Sequence, residues 1–208
     1  SDTASNLVTN TGTYVTGGVN VTVTDAASIA QLAAIDALTT GTVTYTAGGV
    51  SDTASNLVTN TGTYVTGGVN VTFTDGPTYT QLTAVDALTT GTLTYTSLSG
   101  TAAQLAANAD SYVTGGVNIT VTDAATIAQL AAIDAETTGT ITYTAGGVSD
   151  TASNLVTNTG TYVTGGIDAT VTDAASIAQL TAIDALTTGT LTYTAGGVSD
   201  NASNLVTN

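Results

Sequence analysis

The chain is built from one unit of about 50 residues that returns along its whole length. Residues 1–50, 51–98, 99–148 and 149–198 are four copies, and residues 199–208 begin a fifth. Self-similarity at a fixed period is typical of stacked repeat architectures, in which each unit buries its apolar face against its neighbours. The repeat therefore predicts that residues 1–208 form a single domain, and that this domain is a segment of a longer chain.

The first half of each copy has the pattern of a helix followed by a strand. Apolar and small residues recur with helical spacing in the first fifteen positions, and Gly17-Gly18 follow as a helix-ending pair. Val19, Val21 and Val23 then alternate with polar residues, as in a strand with one buried face. The predicted helical face consists of Ala4, Leu7, Val8, Thr11, Tyr14 and Val15.

The second half repeats this order with a clearer helix. The sequence after Asp25 is rich in alanine, and Gly41 marks its end. The next strand is predicted at residues 42–46. The predicted inner face of the helix consists of Ala26, Ile29, Ala30, Ala33 and Ala37.

Strands and helices thus alternate through the chain, with strands expected to start near residues 19, 42, 69, 92, 117, 140, 167 and 190. Parallel strands joined by helical crossovers wind right-handed. The predicted fold is a right-handed α/β solenoid of about eight coils of about 25 residues, each with one parallel β-strand and one short helix. Because threonine and valine favour strands, an all-β solenoid is the alternative.

The charge balance excludes several classes of function. The chain carries 15 acidic residues and no lysine, arginine, histidine or cysteine. A net charge of −15 repels phosphates and anionic lipids. The chain is therefore expected neither to bind nucleic acid nor to insert into a membrane. No histidine or lysine can activate a nucleophile, and every recurring aspartate belongs to the repeat. The chain is therefore not predicted to be an enzyme.

Aspartates recur in three columns. Two columns begin the predicted helices, where carboxylates cap amide groups: Asp25, Asp75, Asp123 and Asp173, and Asp2, Asp52, Asp150 and Asp200. The third column falls in the last helical turn, where a negative charge is unfavourable. These residues cap a following turn, bond to backbone of the adjacent coil, or ligate calcium, the one possible cofactor: Asp36, Asp86, Asp134 and Asp184.

Threonines alternate along the outward face of the predicted strands. Stacked strands would place these hydroxyls in a two-dimensional array, about 4.8 Å apart between coils. The array is either an ordinary solvent-facing strand surface or a lattice that binds ice or a polysaccharide surface. In the first two copies it consists of Thr22, Thr24, Thr44, Thr46, Thr72, Thr74, Thr94 and Thr96.

Two phrases of the repeat carry a resemblance: Val-Thr-Val-Thr-Asp-Ala-Ala-Ser-Ile-Ala-Gln-Leu-Ala-Ala-Ile-Asp-Ala and Ser-Asp-Thr-Ala-Ser-Asn-Leu. The chain resembles the tandem repeats of very large bacterial cell-surface and secreted adhesin-like proteins, including those of marine cyanobacteria. The resemblance covers the whole chain. It implies an extracellular location and a structural role in a filament, cell-surface coat or adhesin stalk, without catalytic residues. Self-association, end to end or laterally, is the expected partnership.

Overall fold

The computed structural model describes residues 1–193 and 196–207. The chain divides into two compact units, Ser1–Leu98 and Ser99–Asn208. The division falls at the boundary between the second and third copies of the repeat. We call the stretch that begins with a strand, runs through the helix that follows and ends before the next strand a half-repeat.

The first unit contains four helices and five strands in its described residues, and a sixth strand begins at its end. The helices are α1 (Ala4–Thr9), α2 (Ile29–Asp36), α3 (Ala54–Thr59) and α4 (Tyr79–Asp86). The strands are β1 (Val21–Thr22), β2 (Val43–Thr44), β3 (Val50–Asp52), β4 (Val71–Phe73), β5 (Leu93–Thr94) and β6 (Ser97–Gly100).

The second unit repeats the order of the first. Its helices are α5 (Ala102–Ala107), α6 (Ile127–Glu136), α7 (Ala152–Thr157), α8 (Ile177–Asp184) and α9 (Ala202–Thr207). Its strands are β7 (Asn118–Val121), β8 (Ile141–Thr142), β9 (Val148–Asp150), β10 (Ala169–Val171) and β11 (Leu191–Thr192).

The strands form four small parallel sheets, in the orders β1-β2, β3-β4-β5, β6-β7-β8 and β9-β10-β11. Val71, for example, pairs with Val50 on one side and with Leu93 on the other. The predicted alternation of parallel strands and helices is confirmed. The all-β alternative is wrong, because helices recur throughout the described residues.

The first-half helix is much shorter than predicted. Instead of running to Val15, α1 ends at Thr9, and Asn10 follows in the left-handed conformation with φ 45°. The Asn10 side chain donates to the Val15 carbonyl at 2.8 Å and accepts from the Val15 amide at 2.9 Å. These two hydrogen bonds close residues 10–15 into a loop, so Tyr14 and Val15 are not helical.

The prediction for the buried face of the second-half helix is correct at Ile29 and wrong at its alanines. Helix α2 begins at Ile29 and ends at Asp36, well before Gly41. Its buried residues are Ile29, Leu32 and Ile35, while the predicted alanines at 26, 30, 33 and 37 are exposed. Large aliphatic side chains remove more apolar surface from water than alanine does, so the Ile-Leu-Ile stripe faces inward.

The strands are shorter than predicted, and one kind was missed. The strand predicted from Val19 has its paired residues at Val21–Thr22, and the strand predicted at 42–46 has them at Val43–Thr44. An additional strand, Val50–Asp52, immediately precedes helix α3. Its Val-Ser-Asp sequence is too short to show alternation, and the sequence pattern instead predicts Asp52 at the start of a helix.

Candidate functional surfaces

The aspartates at the ends of the strands join neighbouring half-repeats. In the first unit, carboxylates of Asp25, Asp52 and Asp75 accept hydrogen bonds from the first amides of helices α1, α2 and α3, at 2.7, 3.0 and 2.7 Å. In each pair the helix belongs to the half-repeat that precedes the aspartate. Charge-assisted bonds at a helix N-terminus are among the stronger ones, since the helix dipole favours the negative charge.

The second unit contains the same contacts. The first amides of α5, α6, α7 and α8 donate at 2.6, 3.0, 2.7 and 3.1 Å to Asp123, Asp150, Asp173 and Asp200. We call these seven carboxylates the aspartate ladder. In the third copy, Gly100 stands where the other copies have Asp52, Asp150 and Asp200.

The predicted capping by these aspartates is therefore correct in chemistry and wrong in partner. Each helix from α1 to α8 is N-capped by its own serine or threonine, such as Ser28 for α2, which also forms a capping box with Gln31. Asp25 instead caps α1, 21 residues earlier in the chain. Sequence periodicity identifies a carboxylate near a helix start, but it does not say which of two neighbouring helices receives it.

Three members of the ladder, Asp52, Asp150 and Asp200, are also anchored within their own half-repeats. The Oδ1 atom of Asp52 accepts from the Thr53 amide and from the Asn56 side chain, both at 2.8 Å, while Oδ2 accepts from Ile29. The Asp52 side chain is only 9% exposed. Both carboxylate oxygens are thus engaged, and the residue connects two helices through hydrogen bonds alone.

The third aspartate column lies at the other end of the helices. Asp36, Asp86 and Asp184 are the last residues of their helices, and Asp134 lies in the last turn of α6; all four are exposed. Over residues 1–193 and 196–207, no three acidic, histidine or cysteine side chains come close enough together to hold a metal ion. Calcium binding at this column stays a prediction.

Tyrosine rings that come before and after helices α3 and α7 in the sequence meet beside this column. Tyr45 and Tyr64 pack edge to face with ring centroids 6.0 Å apart, and Tyr143 and Tyr162 do the same at 6.3 Å. The hydroxyl of the first ring in each pair donates to the backbone carbonyl of the second tyrosine at 3.0 Å. The Tyr162 hydroxyl also lies 3.5 Å from Oδ2 of Asp134. The tyrosine pairs therefore lie near the C-terminal ends of helices, opposite the ladder.

Alkaline pH should destabilise the fold through these tyrosines. Burial raises the pKa of Tyr45, Tyr64 and Tyr143, and the nearby Asp36 carboxylate raises the pKa of Tyr45 and Tyr64 further. A phenol with a raised folded-state pKa contributes stability that is complete below its unfolded pKa of about 10 and decreases above it. We expect the melting temperature to fall steeply above about pH 10, in step with tyrosinate absorbance. A melting temperature that is unchanged while the buried tyrosines ionise would contradict this expectation.

The threonine array is narrower than predicted. Thr22 pairs with Thr44, and Thr72 pairs with Thr94, and all four side chains are exposed. The second threonine of each Thr-x-Thr lies outside the strands, at Thr24, Thr46, Thr74 and Thr96, with Thr46 in a turn. These sheets thus have one row of threonines paired across neighbouring strands, and not the two rows that were predicted.

A buried threonine in each copy was missed at the sequence level. Thr89 is 5% exposed, and its Oγ1 lies 2.6 Å from the Val69 carbonyl and 2.8 Å from the Gly67 carbonyl, to which it donates. The same oxygen accepts from the Gly91 amide at 2.9 Å. Thr39, Thr137 and Thr187 make the equivalent bonds in the other copies. The only sequence signal is an invariant Thr-Thr-Gly, which resembles an ordinary turn.

Replacing Thr89 by valine should lower the free energy of unfolding by about 2 kcal/mol. Valine has nearly the same shape as threonine, but it leaves the Val69 carbonyl and the Gly91 amide without their hydrogen-bond partner. The adjacent Thr90→Val variant is the control, since Thr90 is exposed and its hydroxyl meets only the Gly67 carbonyl at 3.1 Å. Urea denaturation measures the free energy of unfolding of both variants, provided that its dependence on urea concentration is the same as in the wild type. Equal losses in the two variants would show that the buried hydroxyl has no special role.

Comparisons with protein-family models, with curated proteins and with solved structures gave no match. Among the described residues, no helix is both long and apolar enough to cross a membrane.

Proposed function

We propose that the chain is a structural repeat segment of an extracellular filament, cell-surface coat or adhesin stalk, in which the half-repeats stack as coils of a solenoid. The observation that supports this proposal most strongly is the aspartate ladder. Each link bonds one half-repeat to the next, and the same link recurs in both compact units. Because the same link recurs along the chain, added copies would lengthen the structure, as expected for a long and rigid structural element.

The chemistry of the recurring side chains supports the same proposal. The recurring buried polar groups bond to backbone of the neighbouring half-repeat, as Thr89 does, and no buried side-chain polar atom among the described residues lacks a hydrogen-bond partner. Side chains spent on holding neighbours together are not available to bind a substrate. Self-association, end to end or side by side, would continue the same stacking.

Extension of the chain tests the solenoid. A 50-residue insert that copies residues 149–198, placed after Val198, should lengthen the particle by about 10 Å, two strand spacings, without changing its cross-section. Small-angle X-ray scattering on chains with one, two and three inserts measures both quantities. A glycine-serine insert of equal length is the control. Growth in cross-section instead of length would contradict stacking.

Labelling of intact cells tests the location. Antibodies against the purified chain should decorate the outside of the cells that make it, before any permeabilisation. Labelling that requires permeabilised cells would contradict an extracellular role, whatever the result of the scattering experiment.

Binding to ice or to a polysaccharide surface is the second candidate. It is favoured by the exposed and registered pairs Thr22–Thr44 and Thr72–Thr94. The turn at Thr46 weakens it, because a lattice-matching face needs both threonines of each Thr-x-Thr in register. Adsorption to ice or insoluble polysaccharide that disappears when these four threonines become valine would favour this candidate over the purely structural one.

A further inference from the structure

We propose that the tyrosine pairs Tyr45–Tyr64 and Tyr143–Tyr162 are sites of oxidative dityrosine cross-linking within the chain. The proposal concerns a covalent modification and goes beyond the structural function above. The chain has nine tyrosines and no cysteine, methionine, tryptophan or histidine. Tyrosine is therefore its most readily oxidised type of side chain.

Two pairs of these tyrosines share one geometry. Tyr45 and Tyr64 are 19 residues apart in the chain but have ring centroids only 6.0 Å apart. Tyr143 and Tyr162 repeat this arrangement in the second unit at 6.3 Å. In both pairs one ring is half-buried and the other is less than a tenth exposed, so a radical formed there is held near its partner.

A proton acceptor lies beside the pair. Oxidation of a phenol releases its proton, and the Tyr162 hydroxyl lies 3.5 Å from the Asp134 carboxylate. Asp36 occupies the equivalent place in the first unit, where its charge acts on both Tyr45 and Tyr64. These carboxylates have no basic partner, because the chain contains no lysine, arginine or histidine.

The reaction balances with a one-electron oxidant, such as a peroxidase intermediate or photogenerated sulfate radical. Each of the two phenols loses one electron to the oxidant and one proton to the carboxylate or to water. The two radicals form a carbon–carbon bond between ring positions ortho to the hydroxyls, and the hydrogens on those carbons return to the phenol oxygens through solvent. Coupling requires the rings to turn from edge-to-face towards edge-to-edge, and the χ2 torsion of tyrosine is broad.

The probe is a photoexcited ruthenium tris-bipyridine complex with persulfate, applied to the folded chain at low concentration. A protease that cleaves before aspartate separates the partners, placing Tyr45 and Tyr64 on peptides 36–51 and 52–74, and Tyr143 and Tyr162 on peptides 134–149 and 150–167. We expect the monomer to contain dityrosine that joins these two pairs of peptides, and to melt at a higher temperature than the untreated chain. Dityrosine found only in covalent dimers, or a monomer product that joins neither of these two pairs, would overturn the proposal.

Variants and denaturation provide the controls. The Tyr45→Phe/Tyr143→Phe double variant should lose the intramolecular product, and Tyr64→Phe/Tyr162→Phe should lose it as well, with circular dichroism confirming that each remains folded. Tyr14→Phe should keep it, because Tyr14 is 80% exposed and belongs to neither pair. Oxidation of the wild-type chain in concentrated urea should abolish the preference for the two pairs. A product that survives the double substitutions, or that forms equally well in urea, would show that the folded geometry does not direct the coupling.

Discussion

Replacing Asp52 by alanine should lower the free energy of unfolding by about 3 kcal/mol, because it leaves a buried amide without an acceptor. The substitution removes acceptors from the Ile29 amide, the Thr53 amide and the Asn56 side chain together. The Ile29 bond is buried, so water cannot replace the carboxylate without opening the contact between α2 and β3. Chemical denaturation of the full chain measures the loss.

Asp2→Ala is the matched control for this prediction. Asp2 occupies the same place in the first copy and bonds to Thr3 and Asn6, as Asp52 does to Thr53 and Asn56. In the described residues it caps no helix of a preceding half-repeat, and it is exposed. Its replacement should cost clearly less than that of Asp52. If the two variants lose equal stability, the link to the preceding helix is not what makes the ladder important.

Replacing Gly91 by alanine should lower the free energy of unfolding by about 3 kcal/mol, since a methyl group forced into a well-packed contact strains the backbone. A Cβ atom at Gly91 would overlap the carbonyl of Val69 in the neighbouring half-repeat. This neighbour is backbone and cannot rotate away as a side chain could. The equivalent overlaps occur at Gly41, Gly139 and Gly189.

Gly68→Ala is the control, because no atom lies within 4 Å of a Cβ at Gly68. Neither Gly68 nor Gly91 has a positive φ, so the two substitutions differ in available space and not in backbone strain. We expect Gly68→Ala to change stability by no more than about 0.5 kcal/mol. A Gly91→Ala protein as stable as the wild type would mean that neighbouring half-repeats do not pack at the observed separation.

The aspartate ladder also explains how a chain with a net charge of −15 and no basic residue can fold. Seven carboxylates lie at helix N-termini, where backbone amides and the helix dipole supply the missing positive charge. Ion pairs are therefore unnecessary for this group. The remaining acidic side chains, such as Asp36, are mostly exposed, so their repulsion is screened by water and salt.

The repeat and its alternating elements could be predicted from sequence because they depend on local patterns. The helix Ile29–Asp36 and the paired strand residues Val21–Thr22 lie inside the predicted segments. The details failed where a single side chain overrides the pattern. Asn10 ends α1 by bonding to Val15, although the apolar spacing continues past it.

The candidate site was predictable in composition but not in connectivity. The sequence shows that Asp25 and Asp52 recur next to helix starts. The partner of each aspartate is a helix 21 or 23 residues earlier, and that choice depends on how half-repeats stack. The same limit applies to Thr89, which bonds to a carbonyl of the preceding half-repeat, and to the tyrosine pairs, whose rings meet although they are 19 residues apart in the chain.

Electron microscopy of the native material tests the central claim most directly, namely that the repeats stack into an extended structural element. The account predicts continuous fibres or a surface layer with an axial repeat of about 10 Å, two strand spacings of about 4.8 Å for each 50-residue copy. Compact isolated particles with no axial repeat would contradict it.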